Sequence, residues 1–307
     1  MERPAMRPGQ RARPTDVLAR DEVCLYGTSK PLGDALFITT AAREIRRRKP
    51  TARVTVRTHW PPLFYHNSDI ASVTAIREPF TPPEGAFPVV YDDPWPPVER
   101  RHVLEIVCGN LGLEGPFENR TWYYPTEEER GLAADMRPAN DRPVVVVHPF
   151  SGFFAARTKQ WHFAHWKRLL EMMPPEIETV RFLNHDEPAT PTERPRHRDV
   201  LDKELRIVAA LLESADAFVG QESGMAHLAT ALGVPSVVIF TGYVPPDVFG
   251  YPQNLNLTPD LPYAPCWCAD GCPPCRGEIC TRAVQPEAVL RSLLEVLERK
   301  GRRSPKT

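Results

Sequence analysis

The chain repeats one pattern in each of its two halves: an apolar strand, a helix with apolar residues at helical spacing, and another strand. In the first half, residues 22–27 and 52–57 are the predicted strands, and a helix begins between them at Leu32. The pattern starts again at residues 144–147, four valines that are typical of a buried parallel strand. Strands that alternate with helices pair in parallel, so the sequence predicts two successive α/β units.

Length and composition agree with a two-domain globular protein of 307 residues, 42% hydrophobic and 25% charged. A net charge of −1 gives no indication of a nucleic-acid partner. No apolar run reaches the ~20 residues that cross a bilayer, and the Arg- and Pro-rich N-terminus lacks the apolar centre of a secretory signal. We therefore expect a cytoplasmic protein without a transmembrane segment; a peripheral contact at the inner membrane stays open.

Changes in composition divide the chain into a tail and two domains. The polar segment 126–141 is predicted to connect the two domains. The predicted parts are a disordered basic tail over 1–20, a Rossmann-like domain over 21–140, and a second Rossmann-like domain over 141–307, which contains a Cys-rich loop (263–282) and a C-terminal helix (286–299).

A carboxylate, Asp34, stands where the first predicted strand gives way to a helix, in the sequence Leu32-Gly33-Asp34. Ligands of open α/β sheets lie at the carboxyl ends of the strands, and a carboxylate there can act as a general base. The alternative is that Asp34 caps the helix, a role that Asp favours. Taken alone, the motif favours the cap.

A small-residue loop and a lysine follow the valine strand. Ser151 lies in this loop, and Lys159 stands immediately before Gln160-Trp161 and the next helix. Loop N–H groups, a hydroxyl and an ammonium that converge would suit a phosphate. The alternative is an exposed lysine with a tryptophan packed under the loop, and spacing does not separate the two.

A third candidate site lies where a strand ends near Val219 and a helix begins near Ser223. N–H groups of Ser223 and Gly224 at the helix start could hold a diphosphate, and Glu222 could accept hydrogen bonds from sugar hydroxyls. His227, one turn into the helix, faces either the ligand or the core, and a core histidine is the simpler expectation.

Five cysteines fall within fifteen residues near the C-terminus. Four thiolates in one compact loop could bind zinc or iron tetrahedrally. Reduced thiols or a local disulfide are the alternatives, although a disulfide is a poor default without an export signal. The five are Cys266, Cys268, Cys272, Cys275 and Cys280.

Taken in order, these motifs resemble glycosyltransferase family 9, the ADP-heptose:lipopolysaccharide heptosyltransferases. The family pattern is an LGD helix start, a K-x-W loop and a late D-[ST]-G-x-x-H-L helix start. This chain has Leu32-Gly33-Asp34, Lys159-Gln160-Trp161 and the heptapeptide 222–228 in the same order, over residues 22 to about 298.

The resemblance implies an α/β fold of GT-B type, with two facing Rossmann-like domains, parallel sheets and an interdomain cleft. The first domain would bind the acceptor and the second a sugar nucleotide. The implied reaction is inverting and metal-independent: a heptose or similar sugar moves from ADP-heptose or a related donor to an acceptor hydroxyl such as one of the lipopolysaccharide core. The implied roles are Asp34 as general base; Ser151, Lys159, Ser223 and Gly224 on the donor diphosphate; Glu222 on the transferred sugar; and His227 with the donor-binding residues.

The chain departs from the family pattern at three places. Glu222 replaces the usual aspartate, the first loop (28–31) is one residue longer, and the N-terminal domain is short. Two other functions therefore stay open. One is a non-catalytic sugar-nucleotide-binding or scaffold protein whose Cys-rich loop recruits a partner. The other is a glycosyltransferase that acts on a protein, a natural product or a nucleobase. No catalytic cofactor is expected.

Overall fold

A computed structural model of the protein describes residues 14–91, 100–150, 157–183, 194–268 and 279–303. The chain divides into two compact units, Met1–Tyr123 and Tyr124–Thr307. Each unit contains a parallel sheet with helices, so the prediction of two α/β domains with parallel sheets is confirmed. No helix in the described ranges is long and apolar enough to span a membrane.

The first unit is built on a four-stranded parallel sheet with the strand order β3-β2-β1-β4. Strands β1 and β2 pair along their whole length, and each alternates buried with less buried residues. The elements are α1 (Pro14–Ala19), β1 (Glu22–Gly27), α2 (Leu32–Arg48), β2 (Arg53–Thr58), a 3-10 turn (Pro61–Phe64), β3 (Ser72–Ala75), β4 (Phe87–Pro88) and α3 (Val103–Asn110).

Helix α2 covers one face of this sheet. A Cβ placed on Gly27 would lie 2.9 Å from Cδ1 of Ile38, so the glycine permits close packing between β1 and α2. Because successive residues of a strand point to opposite faces, Val23, Leu25 and Gly27 all point to the face that α2 covers, and all three are buried. Tyr26 points to the other face of the sheet, and its side chain is half-buried.

The second unit has a six-stranded parallel sheet with the strand order β10-β9-β8-β5-β6-β7. Strand β5 is buried at every residue because it lies between β8 and β6 and is covered on both faces. The elements are α4 (Glu127–Ala134), β5 (Val144–His148), a 3-10 turn (Arg157–Lys159), α5 (Phe163–Met172), β6 (Glu178–Leu183), β7 (His197–Leu201), α6 (Leu205–Glu213), β8 (Ala217–Gln221), α7 (Gly224–Ala231), β9 (Ser236–Ile239), α8 (Pro246–Phe249), β10 (Leu255–Leu257), α9 (Ile279–Ala283) and α10 (Pro286–Arg303).

The structure differs from the predicted organisation in three segments. Residues 14–19, predicted within the disordered tail, form α1, whose Val17 is fully buried. The segment predicted as a polar connection contains α4, which packs against α6. Residues 197–201, where no strand was predicted, form β7, an edge strand in which only Val200 is buried.

Candidate functional site

Each sheet has a point at which the strand order reverses, and the candidate residues lie at these two points. In the first unit the chain runs from β1 through β2 to β3 and then returns to place β4 on the other side of β1. In the second it runs from β5 through β6 to β7 and then returns to place β8 beside β5. Ligands of open α/β sheets bind in the crevice at such a reversal, outside the carboxyl ends of the strands.

Asp34 lies in the first turn of α2, immediately after β1, and is half-buried. The N-cap of α2 is Pro31, so the capping role that the motif alone favours is wrong. Both carboxylate oxygens accept hydrogen bonds: Oδ1 from the hydroxyl of Tyr91 at 3.0 Å, and Oδ2 from the hydroxyl of Ser29. Tyr91 follows β4, so residues on both sides of the strand-order reversal hold the carboxylate.

Lys159 and Glu222 meet at the reversal of the second sheet. Lys159 ends the 3-10 turn in the segment after β5, and Glu222 directly follows β8. The ammonium nitrogen of Lys159 lies 2.5 Å from Oε2 of Glu222. Glu222 is buried, whereas the Lys159 side chain retains 23% of its exposure. A bound anion can therefore reach the Lys159 ammonium.

A chain of buried polar groups fixes Glu222. Nε2 of His227 lies 3.3 Å from Oε1 of Glu222, and Nδ1 of His227 lies 2.7 Å from the hydroxyl of Tyr251. Burial alone would raise the pKa of Glu222, but the Lys159 ammonium and the hydrogen bond from His227 outweigh it and lower that pKa to about 2. Glu222 is thus a permanently charged acceptor of hydrogen bonds near neutral pH.

Ser223 and Gly224 form the start of α7. Ser223 occupies the N-cap in an extended conformation, but its hydroxyl does not cap the helix. This hydroxyl is buried and has no hydrogen-bond partner within the described ranges. Because the first N–H groups of a helix also have no partner within it, a hydroxyl and a positive helix end are available together for an anion. Ser151, the other predicted phosphate ligand, lies outside the described residues.

Gln221 is a site residue that the sequence did not indicate. Its side chain is fully buried, accepts a 2.7 Å hydrogen bond from the backbone N–H of Trp161, and donates a 2.5 Å hydrogen bond to Oε1 of Gln160. The indole N–H of Trp161 donates to the carbonyl of Val284 at 2.9 Å. These bonds join the segment that carries Lys159 to the end of β8. In the sequence, the one signal for this role of Gln221 was that it is a polar residue directly before Glu222.

His148 ends β5 in register with Gly220 of β8. It is buried, and burial lowers its pKa to about 4, so the ring is neutral near pH 7. Nδ1 of His148 has no hydrogen-bond partner among the residues whose positions are described. An uncharged imidazole therefore stands at the same strand ends as Lys159 and Glu222.

Three of the five clustered cysteines lie in the described residues. Cys280 is buried, and Cys266 and Cys268 pack against it. The backbone N–H of Cys268 donates to Sγ of Cys266 at 3.5 Å. Within the ranges described, no group of three or more His, Cys, Asp or Glu side chains could hold a metal ion. Cys272 and Cys275 lie outside those ranges.

Comparison of the sequence with protein families gives one match relevant to this site. The model described as glycosyltransferase family 9 (heptosyltransferase) matches residues 94–260, which is more than half of the chain. A comparison with curated proteins finds no match.

Solved structures with the same fold include several heptosyltransferases. ADP-heptose LPS heptosyltransferase II of E. coli has a TM-score of 0.69 at 14% identity over 91% of this chain and 99% of its own. The dodecameric iron-containing heptosyltransferase TibC of enterotoxigenic E. coli, in complex with ADP-D-beta-D-heptose, has a TM-score of 0.65 at 18% identity, over 91% of this chain and 76% of its own. E. coli heptosyltransferase WaaC with ADP has a TM-score of 0.58 at 14% identity, over 89% of this chain and 99% of its own. These likenesses identify the fold as GT-B.

Proposed function

Because the chain belongs to glycosyltransferase family 9, we propose that it moves a sugar from a nucleotide diphosphate to an acceptor hydroxyl, with inversion and without a catalytic metal. ADP-heptose or a related nucleotide sugar is the donor that we expect, since structures of the same fold hold ADP or ADP-D-beta-D-heptose. The expected acceptor is a hydroxyl of the lipopolysaccharide core or of a comparable molecule.

One observation carries this proposal: in each unit, a charged residue stands at the strand-order reversal, with partners from both sides of it. In the first unit, this residue is Asp34, held by Tyr91 and Ser29. In the second, Lys159 is held by Glu222. A base and a cation in such positions are what glycosyl transfer requires.

Asp34 is proposed as the general base. The attacking hydroxyl must lose its proton as the new bond to the anomeric carbon forms, and a carboxylate within hydrogen-bond distance can accept it. The hydroxyls of Tyr91 and Ser29 orient the carboxylate and stabilise its negative charge before the reaction. Proton transfer from the acceptor would then occur at whichever Asp34 oxygen the acceptor hydroxyl approaches.

Lys159, Ser223 and the start of α7 are proposed to stabilise the departing nucleotide diphosphate. An ammonium has three N–H donors, so Lys159 can keep its bond to Glu222 and still donate to a phosphate oxygen. The unpartnered Ser223 hydroxyl and the helix N-terminus add dipoles that need no rearrangement when charge develops. Glu222 is proposed to bind the transferred sugar, and His227 to hold Glu222 in place.

Nucleotide-sugar binding and transfer test this proposal separately. ADP-heptose, UDP-sugars and GDP-sugars are titrated into the wild-type protein, Asp34→Asn and Lys159→Gln, and transfer is followed with hydroxyl acceptors. We expect one nucleotide sugar to bind the wild type and Asp34→Asn equally and Lys159→Gln more weakly, with transfer by the wild type alone. Binding without transfer to any acceptor would favour the scaffold function, and the absence of binding would refute both.

The Cys-rich loop is proposed to bind a structural zinc or iron ion. The residues that would hold it are four of Cys266, Cys268, Cys272, Cys275 and Cys280, and thiolates are suitable ligands for either metal. Two features support this proposal: the packing of Cys266 and Cys268 against Cys280, and the N–H···S bond to Cys266. The ion would hold the loop together and would take no part in glycosyl transfer.

A further inference from the structure

Tyr251 belongs to the buried chain of polar groups that leads to Glu222, although it lies in none of the three sequence motifs. The residue is only 2% exposed. Its hydroxyl lies 2.7 Å from Nδ1 of His227, and Nε2 of the same ring lies 3.3 Å from Oε1 of Glu222. The rings of Tyr251 and His227 meet edge to face, with their centroids 5.5 Å apart. The Tyr251 hydroxyl therefore reaches Glu222 through a single imidazole.

The two partners of His227 determine which of its ring nitrogens carries the proton. An ionised carboxylate can only accept hydrogen bonds, so Nε2 of His227 must donate to Glu222. A neutral imidazole has one donor and one acceptor nitrogen, which leaves Nδ1 to accept the hydroxyl proton of Tyr251. In the other neutral tautomer, the lone pair of Nε2 would face the carboxylate. The Tyr251 hydroxyl thus stabilises the one neutral form of the ring that can donate to Glu222.

Glu222 is a flexible side chain that is held at both oxygens. A glutamate has one more rotatable bond than an aspartate, so its carboxylate has more rotamers to lose when it binds a ligand. Lys159 contacts Oε2 and His227 contacts Oε1, which fixes the carboxylate before a ligand arrives and lowers the entropic cost of binding. Tyr251 holds the far side of the His227 ring and so opposes its rotation away from Glu222.

The segment between α8 and β10 holds Tyr251 against helix α7. The carbonyl of Tyr251 accepts hydrogen bonds from the backbone N–H of Asn254 at 3.1 Å and from Nδ2 of Asn256 at 3.0 Å. Nδ2 of Asn254 donates to the hydroxyl of Thr230 at 2.9 Å. Thr230 lies on α7, the helix that also carries His227, so the tyrosine and the histidine are fixed to the same element.

We propose that Tyr251 is a positioning residue for the donor sugar: its hydroxyl keeps the Nε2–H of His227 directed at Glu222, and the carboxylate thereby stays oriented for the sugar. This inference rests on the proposed function, in which Glu222 binds the transferred sugar and Lys159 the diphosphate. Tyr251 contacts neither part of the donor and acts through His227. Loss of its hydroxyl should therefore weaken recognition of the sugar and leave recognition of the nucleotide unchanged.

Substitution of Tyr251 by Phe tests this proposal, because it removes the hydroxyl and keeps the ring that packs against His227. ADP and ADP-heptose are titrated by calorimetry into the full-length wild type, Tyr251→Phe and Tyr123→Phe. The last is the matched control, since it removes the hydroxyl of another buried tyrosine, in the first unit. We expect Tyr251→Phe to bind ADP-heptose about 3- to 10-fold more weakly, the effect of one hydrogen bond, and ADP equally. The control should bind both ligands as the wild type does.

The protonation of the His227 ring is a second readout, and it needs no ligand. In protein labelled with nitrogen-15, two-bond proton–nitrogen correlations show which ring nitrogen is protonated near pH 7. The signal that is missing from His227→Gln identifies His227. We expect the proton on Nε2 in the wild type, and we expect the Nδ1 resonance to shift in Tyr251→Phe because its hydrogen bond is lost. Thermal unfolding of each variant verifies that it is folded.

Four results would overturn the positioning role of Tyr251. These are a proton on Nδ1 of His227 in the wild type, unchanged His227 signals in Tyr251→Phe, unchanged affinity of that variant for ADP-heptose, and an equal loss of affinity for ADP and ADP-heptose. The last would indicate general damage to the site. If neither ligand bound the wild type, the proposed function would be refuted instead, and the His227 signals would still decide whether Tyr251 holds the imidazole.

Discussion

The hydroxyl of Tyr91 donates a 3.0 Å hydrogen bond to Oδ1 of Asp34. The two residues are 57 positions apart, but they follow neighbouring strands, β4 and β1, at the strand-order reversal of the first sheet. Because Ser29 donates to the other oxygen, the carboxylate has a fixed orientation. A side chain that only capped the start of a helix would need neither of these two hydroxyl partners.

Substitution of Asp34 by Asn should abolish most transfer without affecting the donor. A positioned general base contributes about 10²–10⁴-fold to the rate, and an amide cannot accept the proton. We therefore expect the transfer rate of Asp34→Asn to fall by about that factor, with ADP affinity measured by calorimetry unchanged. Tyr91→Phe keeps the carboxylate and should reduce the rate less. Near-normal transfer by Asp34→Asn would refute the base assignment.

Lys159 and Glu222 should show strong energetic coupling. Lys159→Met leaves the buried Glu222 carboxylate without its cation, at a cost of roughly 3 kcal/mol in the free energy of unfolding. Adding Glu222→Gln removes the uncompensated charge, so the double variant should regain most of this stability while donor affinity stays low. Urea unfolding of both single variants and the double variant measures the coupling.

Lys167 offers a matched control for that cycle. Its ammonium lies 3.9 Å from Glu171 on the surface, where ion pairs contribute little. Lys167→Met should therefore leave both stability and donor affinity nearly unchanged. If Lys159→Met and Glu222→Gln were simply additive, the ion pair would not be the feature that holds the site.

Local sequence patterns predicted the two α/β units because each strand and helix has its own apolar period. The predicted strand at 22–27 agrees with β1 at both ends, and the one at 144–147 is one residue shorter than β5. Helix α4 was missed although Thr126 and Glu129 form a capping box, a signal that is readable in the sequence. The two-residue β4 and the polar edge strand β7 were not predictable, because their pairing depends on neighbours distant in sequence.

The candidate site was predictable only where its residues belong to short motifs. Asp34, Lys159 and Glu222 stand at strand-to-helix junctions, so topology alone places them at strand ends. Their partners are different: Tyr91, Gln221 and Tyr251 come from segments with no motif of their own.

A structural metal in the Cys-rich loop predicts a specific loss on substitution of its ligands. Purified protein should contain zinc or iron, and Cys268→Ser or Cys280→Ser should lower the metal content. A chelator should lower the unfolding temperature of the wild type, because metal binding to the folded loop adds to folding free energy. Cys24→Ser, in β1 of the other unit, is the control. Equal metal content in all variants would exclude this loop as the site.

His148 should make stability depend on pH between about 4 and 6.5. Burial lowers its pKa from an ordinary value of 6.5 to about 4, so between these values the unfolded chain binds a proton that the folded protein does not. The stability is complete above the unfolded pKa and is lost as the pH falls towards 4, by about 3 kcal/mol in total. Glu222, whose pKa is lowered from 4.5 to about 2, also loses stabilisation as the pH falls below about 5, but it does so equally in the wild type and in a His148 variant.

His148→Gln isolates this effect, because glutamine keeps polar atoms in the cavity but does not titrate. Urea unfolding from about pH 7 to about pH 4 should show wild-type stability falling by about 3 kcal/mol more than that of the variant. Other buried histidines and carboxylates titrate equally in both proteins, so they cancel in the difference. Parallel pH profiles for the two proteins would mean that His148 takes up its proton at the same pH in the folded protein as in the unfolded chain, so that burial does not lower its pKa.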